Sequence, residues 1–383
     1  MKLKDICEIN PRMQKIDDST EVSFVSMPSV SEDGKIDITD IRRYSDVKKG
    51  YTTFKENDVL FAKITPCMEN GKGAIARGLR NGYGCGSSEF HVLRSNDKAM
   101  PEWIYCLTSW QRFRKKAEKH MTGSAGQRRV PKQYLENYEI RLPELKVQAQ
   151  QVETLMHLRS IIDHRITEVR SFDELIKARF VEMFGDESNP LRWDVVNVED
   201  VATVQVGVVI KPAQYYTDAA NGVRAFRSLN IGPMNIKDND WVYFSEEGNS
   251  KNAKSILKEN DLLIVRSGAP GTACVVTKQY AGCNAIDIII AHPDMNKVNP
   301  YYLCAYTNLP HGKRQIDEGT GGAAQQHFNV GKYNKLQLML PPIEKQEEFV
   351  LFMEQVNKSK AAVQKSIDET QMLFDSLMQK YFG

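Results

Sequence analysis

The sequence predicts an α+β chain of two tandem strand-rich globular units, each followed by a long α-helix, with the two helices buried against each other. Three observations carry this. LPELKVQ from Leu142 returns as LPPIEKQ from Leu340, and Phe184-Gly185 returns as Phe382-Gly383; 340 less 142 and 382 less 184 both give 198. Two stretches, residues 147–184 and 344–382, contain neither proline nor glycine. The rest alternates short β-branched runs with Gly-, Asn- and Asp-rich turns, the mark of strands joined by tight connections. The expected boundaries are 1–143 for the first unit, 144–185 for its helix, 186–341 for the second unit and 342–383 for its helix.

Within the globular units the repeat persists with a shifting offset. KENDVL from Lys55 meets KENDLL from Lys258 at 203, whereas Gly84, Cys85 and Glu89 meet Gly282, Cys283 and Asp287 at 198. TGSAGQ from Thr122 meets TGGAAQ from Thr320 at 198 again. The second copy therefore carries a longer loop around residues 206–223, and the first has extra residues around 65–73. A repeated frame with unequal connections is what arises when loops carry specificity. The runs NDVLFAKI, LLIVRSG, IDIIIA, YEIRLP and LQLMLP read as strands. PEWIYCLTSWQRFRKKAEKHM reads as one helix with Pro101 at its first position, and its counterpart starts at Pro300.

Each proline-free stretch spans roughly ten helical turns, about 55 to 60 Å. Apolar residues recur at three and four: Leu155, Leu158, Ile162, Val169, Phe172 and Ile176 in the first, then Phe349, Met353, Val356, Val363, Ile367, Phe374 and Leu377 in the second. A single heptad seam on each helix is most economically covered by the other, although packing on the adjoining unit or on another subunit would also satisfy it. Pro143 and Pro341-Pro342 suit helix starts, where a missing amide proton costs nothing. Glu144, Glu344, Glu347 and Glu348 suit the positive end of the helix dipole. FGDESNP from Phe184 is the turn-rich break between the first helix and the second unit.

A length of 383 residues and 41% apolar content fit two or more domains with real cores. The opening MKLKDICEIN does not resemble a signal peptide, and no apolar run approaches a membrane span, so a cytoplasmic protein without a membrane partner is expected. Seven cysteines, an odd number without a CxxC pair, fit reduced buried thiols and argue against a zinc site. The net charge of +2 conceals an asymmetry: residues 1–142 hold 25 basic and 19 acidic side chains, residues 186–340 hold 15 and 16. Arg112, Arg114, Lys115, Lys116, Lys119, Arg128, Arg129 and Lys132 crowd a short segment of the first unit against Glu118 alone. Such a cluster is the footprint of phosphate contact, or else a solvated helix face.

No catalytic or metal constellation is present: GxxxxGK[ST], HExxH and GxSxG are all missing from the sequence. NPYY from Asn299 resembles the NPPY-type motif of amino-methylating DNA methyltransferases, but it lacks the second proline and a preceding cofactor loop, and its counterpart is MPEW; a helix start accounts for it. NGKGAIARG from Asn70 reads as a hairpin loop whose Lys72 could touch a nucleic-acid backbone. The glycine-rich loops place Gln127, Arg128 and Arg129 in one copy and Gln325, Gln326 and His327 in the other; Gln pairs bidentately with adenine and Arg with guanine in a major groove. Lys63 and Arg266 hold one position on strands ending in Thr65 or in Ser267-Gly268, so a shared phosphate contact and a structural ion pair both fit. Lys211, on the longer second-copy loop, completes the candidate DNA-binding set.

The repeated D[VL]L…[KR], GxC, TG[SG]xxQ and LP[EP][LI]xxQ leading into a heptad helix resembles the specificity (S) subunit of type I restriction-modification systems over nearly the whole chain. The resemblance implies two target-recognition domains, each reading half of a bipartite double-stranded DNA site, and an antiparallel coiled coil acting as a ruler. It implies a non-catalytic subunit that scaffolds two methylation (M) subunits, which bind adenosylmethionine, and restriction (R) subunits, which use ATP and magnesium; no cofactor is expected on this chain. The target-reading residues above come from the residue chemistry, not from the family. Three other readings stay open: an unfamiliar methyltransferase, the recognition subunit of another methylation-dependent system (type II or phage-exclusion), and a coiled-coil adaptor that touches no DNA.

Overall fold

A computed structural model of the chain describes residues 1–12, 15–124, 126–186, 188–320 and 328–383. The chain divides into two compact units, Met1–Ile166 with Gln364–Gly383, and Thr167–Val363. Each long helix therefore contributes to both.

In the first unit an antiparallel sheet has the strand order Cys7–Ile9, Phe90–Ser95, Val59–Ala62, Gly73–Ile75. A second sheet runs Ile41–Arg43, Glu21–Val25, Tyr83–Gly86, Thr52–Lys55, with Glu21–Val25 and Tyr83–Gly86 parallel. Val59–Ala62 is buried at every position, because Val59 and Phe61 face the helix Pro101–Ser109 side while Leu60 and Ala62 face the second sheet's core. The second unit repeats the plan. Ala202–Val206, Ile288–Pro293, Leu262–Val265 and Ala273–Val275 form its antiparallel sheet, and Leu262 and Ile264 pack with Tyr302 while Leu263 and Val265 pack with Phe226. Its other four-stranded sheet runs Tyr216–Thr217, Val242–Ser245, Gly222–Phe226, Asn284–Ala285, the last two parallel.

The repeated KEND turn has a physical reason in both copies. Asn57 and Asn260 adopt positive φ (67° and 72°), which asparagine tolerates better than most residues. The following carboxylates close the turn: Asp58 accepts the Lys55 amide proton (2.8 Å) and Asp261 that of Lys258 (2.7 Å). Each buried carboxylate then meets the same neighbouring strand, Asp58 through Arg94 (2.7 Å) and Asp261 through His292 (2.5 Å).

Four of the five predicted strands form, as Val59–Ala62, Leu262–Val265, Ile288–Pro293 and Gln337–Leu340. YEIRLP does not. Its counterpart Gln337–Leu340 pairs with Asp194–Asn197, whereas in the first unit the segment makes only a single bridge, between Glu139 and Lys2. The helix expected from Pro101 through Met121 is two helices, Pro101–Ser109 and Gln111–Glu118. Trp110 between them is extended (ψ 125°) and buried against Phe382, with ring centroids 6.3 Å apart, so side-chain packing breaks the helix without proline or glycine. The second unit has the same break before Pro310. Asn299 caps its helix by accepting the Tyr301 amide proton (2.9 Å), with Pro300 at the first turn, which confirms NPYY as a helix start.

The long helices span Leu145–Phe184 and Ile343–Phe382, 40 residues each and about 60 Å long. Inside the first unit, Val152 and Leu155 near the start of one helix share a core with Phe374, Leu377 and Met378 near the end of the other. Inside the second unit, Ile176, Phe180 and Phe184 share a core with Phe349, Met353 and Val356. Arg179 pairs with Glu348 (3.1 Å) and Asp173 with Lys360 (2.5 Å). Early residues of each helix meet late residues of its partner, so the pairing is antiparallel. Of the expected seam, Leu155, Ile176, Phe349, Met353, Val356 and Val363 are buried; Leu158, Ile162, Val169, Phe172, Ile367, Phe374 and Leu377 are half-buried. The heptad reading passed over Val152, Phe180, Phe184 and Met378, which are also buried.

Both helix starts are pinned by the glutamine of the repeated LPxxxxQ. Gln148 accepts from the Met100 amide (3.0 Å) and donates to the carbonyls of Lys98 (2.9 Å) and Pro143 (2.9 Å). Gln346 accepts from the Asn299 amide (2.8 Å) and donates to Lys297 (3.3 Å) and Pro341 (2.8 Å). Among the described residues no helix is long and apolar enough to cross a membrane.

Candidate nucleic-acid interface

In the first unit the segment after the glycine-rich loop is strapped across the end of the strand Val59–Ala62. Val130 donates its amide proton to the Lys63 carbonyl (2.9 Å) and Thr65 donates to the Arg128 carbonyl (3.0 Å). Thr122 and Arg129 close the loop on itself through paired backbone bonds (3.0 and 2.8 Å). His91, on the adjacent strand, bonds the Val130 carbonyl through Nε2 (2.8 Å) and Asn10 through Nδ1 (2.9 Å). Burial pushes the His91 pKa down to about 4, so the ring is neutral and Nε2 carries the proton that Val130 accepts.

This strap brings Lys63, Thr65, Gln127, Arg128 and Arg129 together, along with carboxylates that no single segment of sequence announces. Arg129 holds both oxygens of Glu89 (2.8 and 2.9 Å), and that guanidinium keeps the Glu89 carboxyl below the usual range. Arg128 lies 3.6 Å from both Glu69 and Glu118, and Thr65 donates to Glu69 (2.8 Å). Gln127 is exposed, and Lys63 is half-buried near Glu89. Lys115 projects from the exposed side of Gln111–Glu118, whose Phe113 and Ala117 are buried.

Other candidates are placed differently. Arg114 turns inward and donates to the Glu69 carbonyl (3.0 Å); Gly71, at φ 94°, leaves room for it, since a Cβ there would collide with the guanidinium. Arg112 donates to Gln379 of the second long helix (2.5 Å) and lines a cavity of about 590 Å³ with Trp110, Arg159 and Phe374. Lys72 donates to the Met27 carbonyl (3.1 Å), and Lys132 opens the helix Lys132–Asn137, where it pairs with Glu136 (3.3 Å).

Among the described residues, the second unit repeats the strap's bond to the strand end. Phe328 donates to the Arg266 carbonyl (3.0 Å), matching Val130 on Lys63. Here the strand-end cation itself holds the carboxylate: Arg266 pairs with Asp287, the counterpart of Glu89, and reaches the Phe328 carbonyl (3.4 Å). Ser267 is half-buried next to it, and Lys211 is exposed on the longer loop at φ 45°. Gln325, Gln326 and His327 lie outside the described residues. The Glu89/Asp287 correspondence at 198 was visible in the repeat, and it was the available signal for these carboxylates.

The family model described as "Type I restriction modification DNA specificity domain" matches residues 1–170 and 190–370. The chain belongs to that DNA specificity family. Among relatives of this specificity chain, the specificity subunit of the type I restriction enzyme EcoAI from Escherichia coli is 43% identical over 164 residues, 42% of this chain and 28% of that subunit. The EcoEI specificity subunit from the same organism is 42% identical over 164 residues, 42% of this chain and 27% of that subunit. The match thus spans under a third of either relative. A chain solved in work on complex assembly and conformational transition of the type I R-M system superposes with a TM-score of 0.65 at 19% identity, covering 100% of this specificity chain and 96% of that one. That likeness extends the shared fold over the full length, both long helices included.

Proposed function

We propose that this chain is the recognition subunit of a type I restriction-modification complex and reads a two-part duplex target. Residues 1–143 read one half-site and residues 186–341 the other, while the helices at 144–185 and 342–383 set the unread gap. The observation that carries this reading is the duplicated strand-end bond, Val130 on Lys63 in one unit and Phe328 on Arg266 in the other, each made by the residue that follows a glycine-rich, glutamine-containing sequence. Lysines and arginines around it, Lys115 and Lys211 among them, contact phosphates and position the units; loop side chains such as Gln127 and Gln325 contact base edges.

Two like units offer two like docking surfaces, so one chain recruits two copies of a methylation subunit, and restriction subunits join that assembly. Adenosylmethionine, ATP and magnesium belong to those partners, and this chain contributes recognition and spacing in the cytoplasm. Mapping methylated adenines in cells that carry the chain and its partners tests the reading. A two-part motif with a fixed unspecific gap is expected; a continuous motif, or none, contradicts it.

A further inference from the structure

The longer connection of the second unit is held down at both ends and bare in the middle. Gly207 donates to the Ile288 carbonyl (2.9 Å), Val208 donates to Ala285 (2.8 Å), and Asp287 donates back to Val208 (3.2 Å). The Val208 side chain is buried with Ala225, Phe244 and Ile286. On the far side Pro212 enters a short 3-10 turn, and the ring of Tyr215 lies 5.7 Å from that of Phe244. Between these anchors Val209 is 49% exposed and Ile210 78% exposed, and Lys211 stands in the left-handed region.

The place of this tip gives it meaning. Val208 is bonded to Asp287, the residue that holds Arg266, so the tip stands beside the second unit's own strand end, the counterpart of the one that carries Lys63 in the first unit. The second unit carries 15 basic and 16 acidic residues over 186–340, so it has less charge to spend on phosphates than the first. Two branched apolar side chains next to a lysine match a different feature of duplex DNA. The C5-methyl of thymine is the apolar group that a major groove displays, and a cation beside the apolar pair reaches the adjoining phosphate. The stretch that follows Ile9 in the first unit carries Arg12 and Lys15 instead.

We infer that Val209 and Ile210 are specificity-determining residues of the second unit, packing on a thymine methyl of its half-site while Lys211 takes the neighbouring phosphate. This rests on the reading of the chain as a bipartite recognition subunit. The test uses the full chain assembled with its methylation subunits and duplexes in which each thymine of the second half-site is replaced in turn by deoxyuridine, which removes only the methyl. One such replacement is expected to weaken binding about fourfold, the value of burying one methyl-sized group. Ile210→Ala is expected to abolish that sensitivity and relax the methylation motif at the same base pair, leaving the first half-site and the gap unchanged. Ile210→Ser serves as a second variant with the same expectation. The assignment is overturned if no deoxyuridine position matters, or if both variants keep the full penalty. It is also overturned if the variants lose methylation-subunit binding with base preference intact, which would make the tip a protein-docking element. An unmodified chain that yields no two-part motif fails earlier, at the reading beneath this one, and takes the assignment with it.

Discussion

Gln148 and Gln346, 198 residues apart and both fully buried, make the same three backbone hydrogen bonds in their respective units. Each ties the first turn of a long helix to the loop that enters the Pro101–Ser109 or Pro300–Asn308 helix. Replacing either by leucine leaves one amide proton and two carbonyls without their partner, at about 1 to 3 kcal/mol for each of these groups that stays shielded from water. Gln148→Leu and Gln346→Leu are both expected to lose about 1 to 3 kcal/mol in urea unfolding. A loss at only one of the two sites would show that the repeat is not energetically equivalent there.

The aromatic end of the first helix is a second point of leverage. Phe180 is buried among Phe184, Tyr302 and Phe349, at centroid distances of 4.9, 5.7 and 5.2 Å. Phe180→Ala is expected to cost about 3 to 5 kcal/mol, whereas the exposed Met372→Ala stays within about 0.5 kcal/mol. Comparable losses at both positions would contradict the seam described above.

The two proline-free helices, their 198-residue correspondence and most strands were legible because they depend on local pattern: an unbroken heptad, a β-branched run, an Asn-Asp turn. What lay beyond reach was set by distant partners. Trp110 breaks a helix that its own segment would continue, because Phe382 offers it a buried site. Arg129 reads as a base-reading cation and Arg266 as either a phosphate contact or half of an ion pair, and the carboxylates that hold them arrive from 40 and 21 residues away. The glutamine of LPxxxxQ shows in the sequence as a repeat without a role, since its partners at Met100 and Asn299 lie on another element.

Acid is expected to loosen the first unit through His91. Its folded-state pKa of about 4 lies below the usual 6.5, so as pH falls below that value the unfolded chain takes up a proton that the folded chain refuses. Stability from this group is complete above pH ~6.5 and declines toward pH ~4, by an amount on the order of 3 kcal/mol. Urea unfolding across that range, compared with His91→Gln, is expected to show a shallower slope in the variant. Identical slopes would remove His91 as the cause.

Cations of the candidate interface separate into two kinds. Lys115→Ala is expected to leave stability unchanged and to lower the salt dependence of DNA binding by about one phosphate contact, a slope change near 0.9. Arg266→Ala removes the partner of Asp287 and is expected to cost about 1 to 2 kcal/mol of stability. Denaturation curves alongside binding titrations at several salt concentrations distinguish the two outcomes, and a stability loss from Lys115→Ala would count against its exposed placement.

The claim that the paired helices measure the distance between half-sites is tested most directly by shortening both at once. Deleting residues 161–167 together with 359–365 removes one heptad from each helix, preserves the three-four spacing of the seam, and shortens the pair by about 10 Å. The methylated motif is expected to keep both half-sites and to lose about three base pairs from the gap, at roughly 3.4 Å per base pair. An active shortened protein with the original gap would contradict a ruler made of the paired helices.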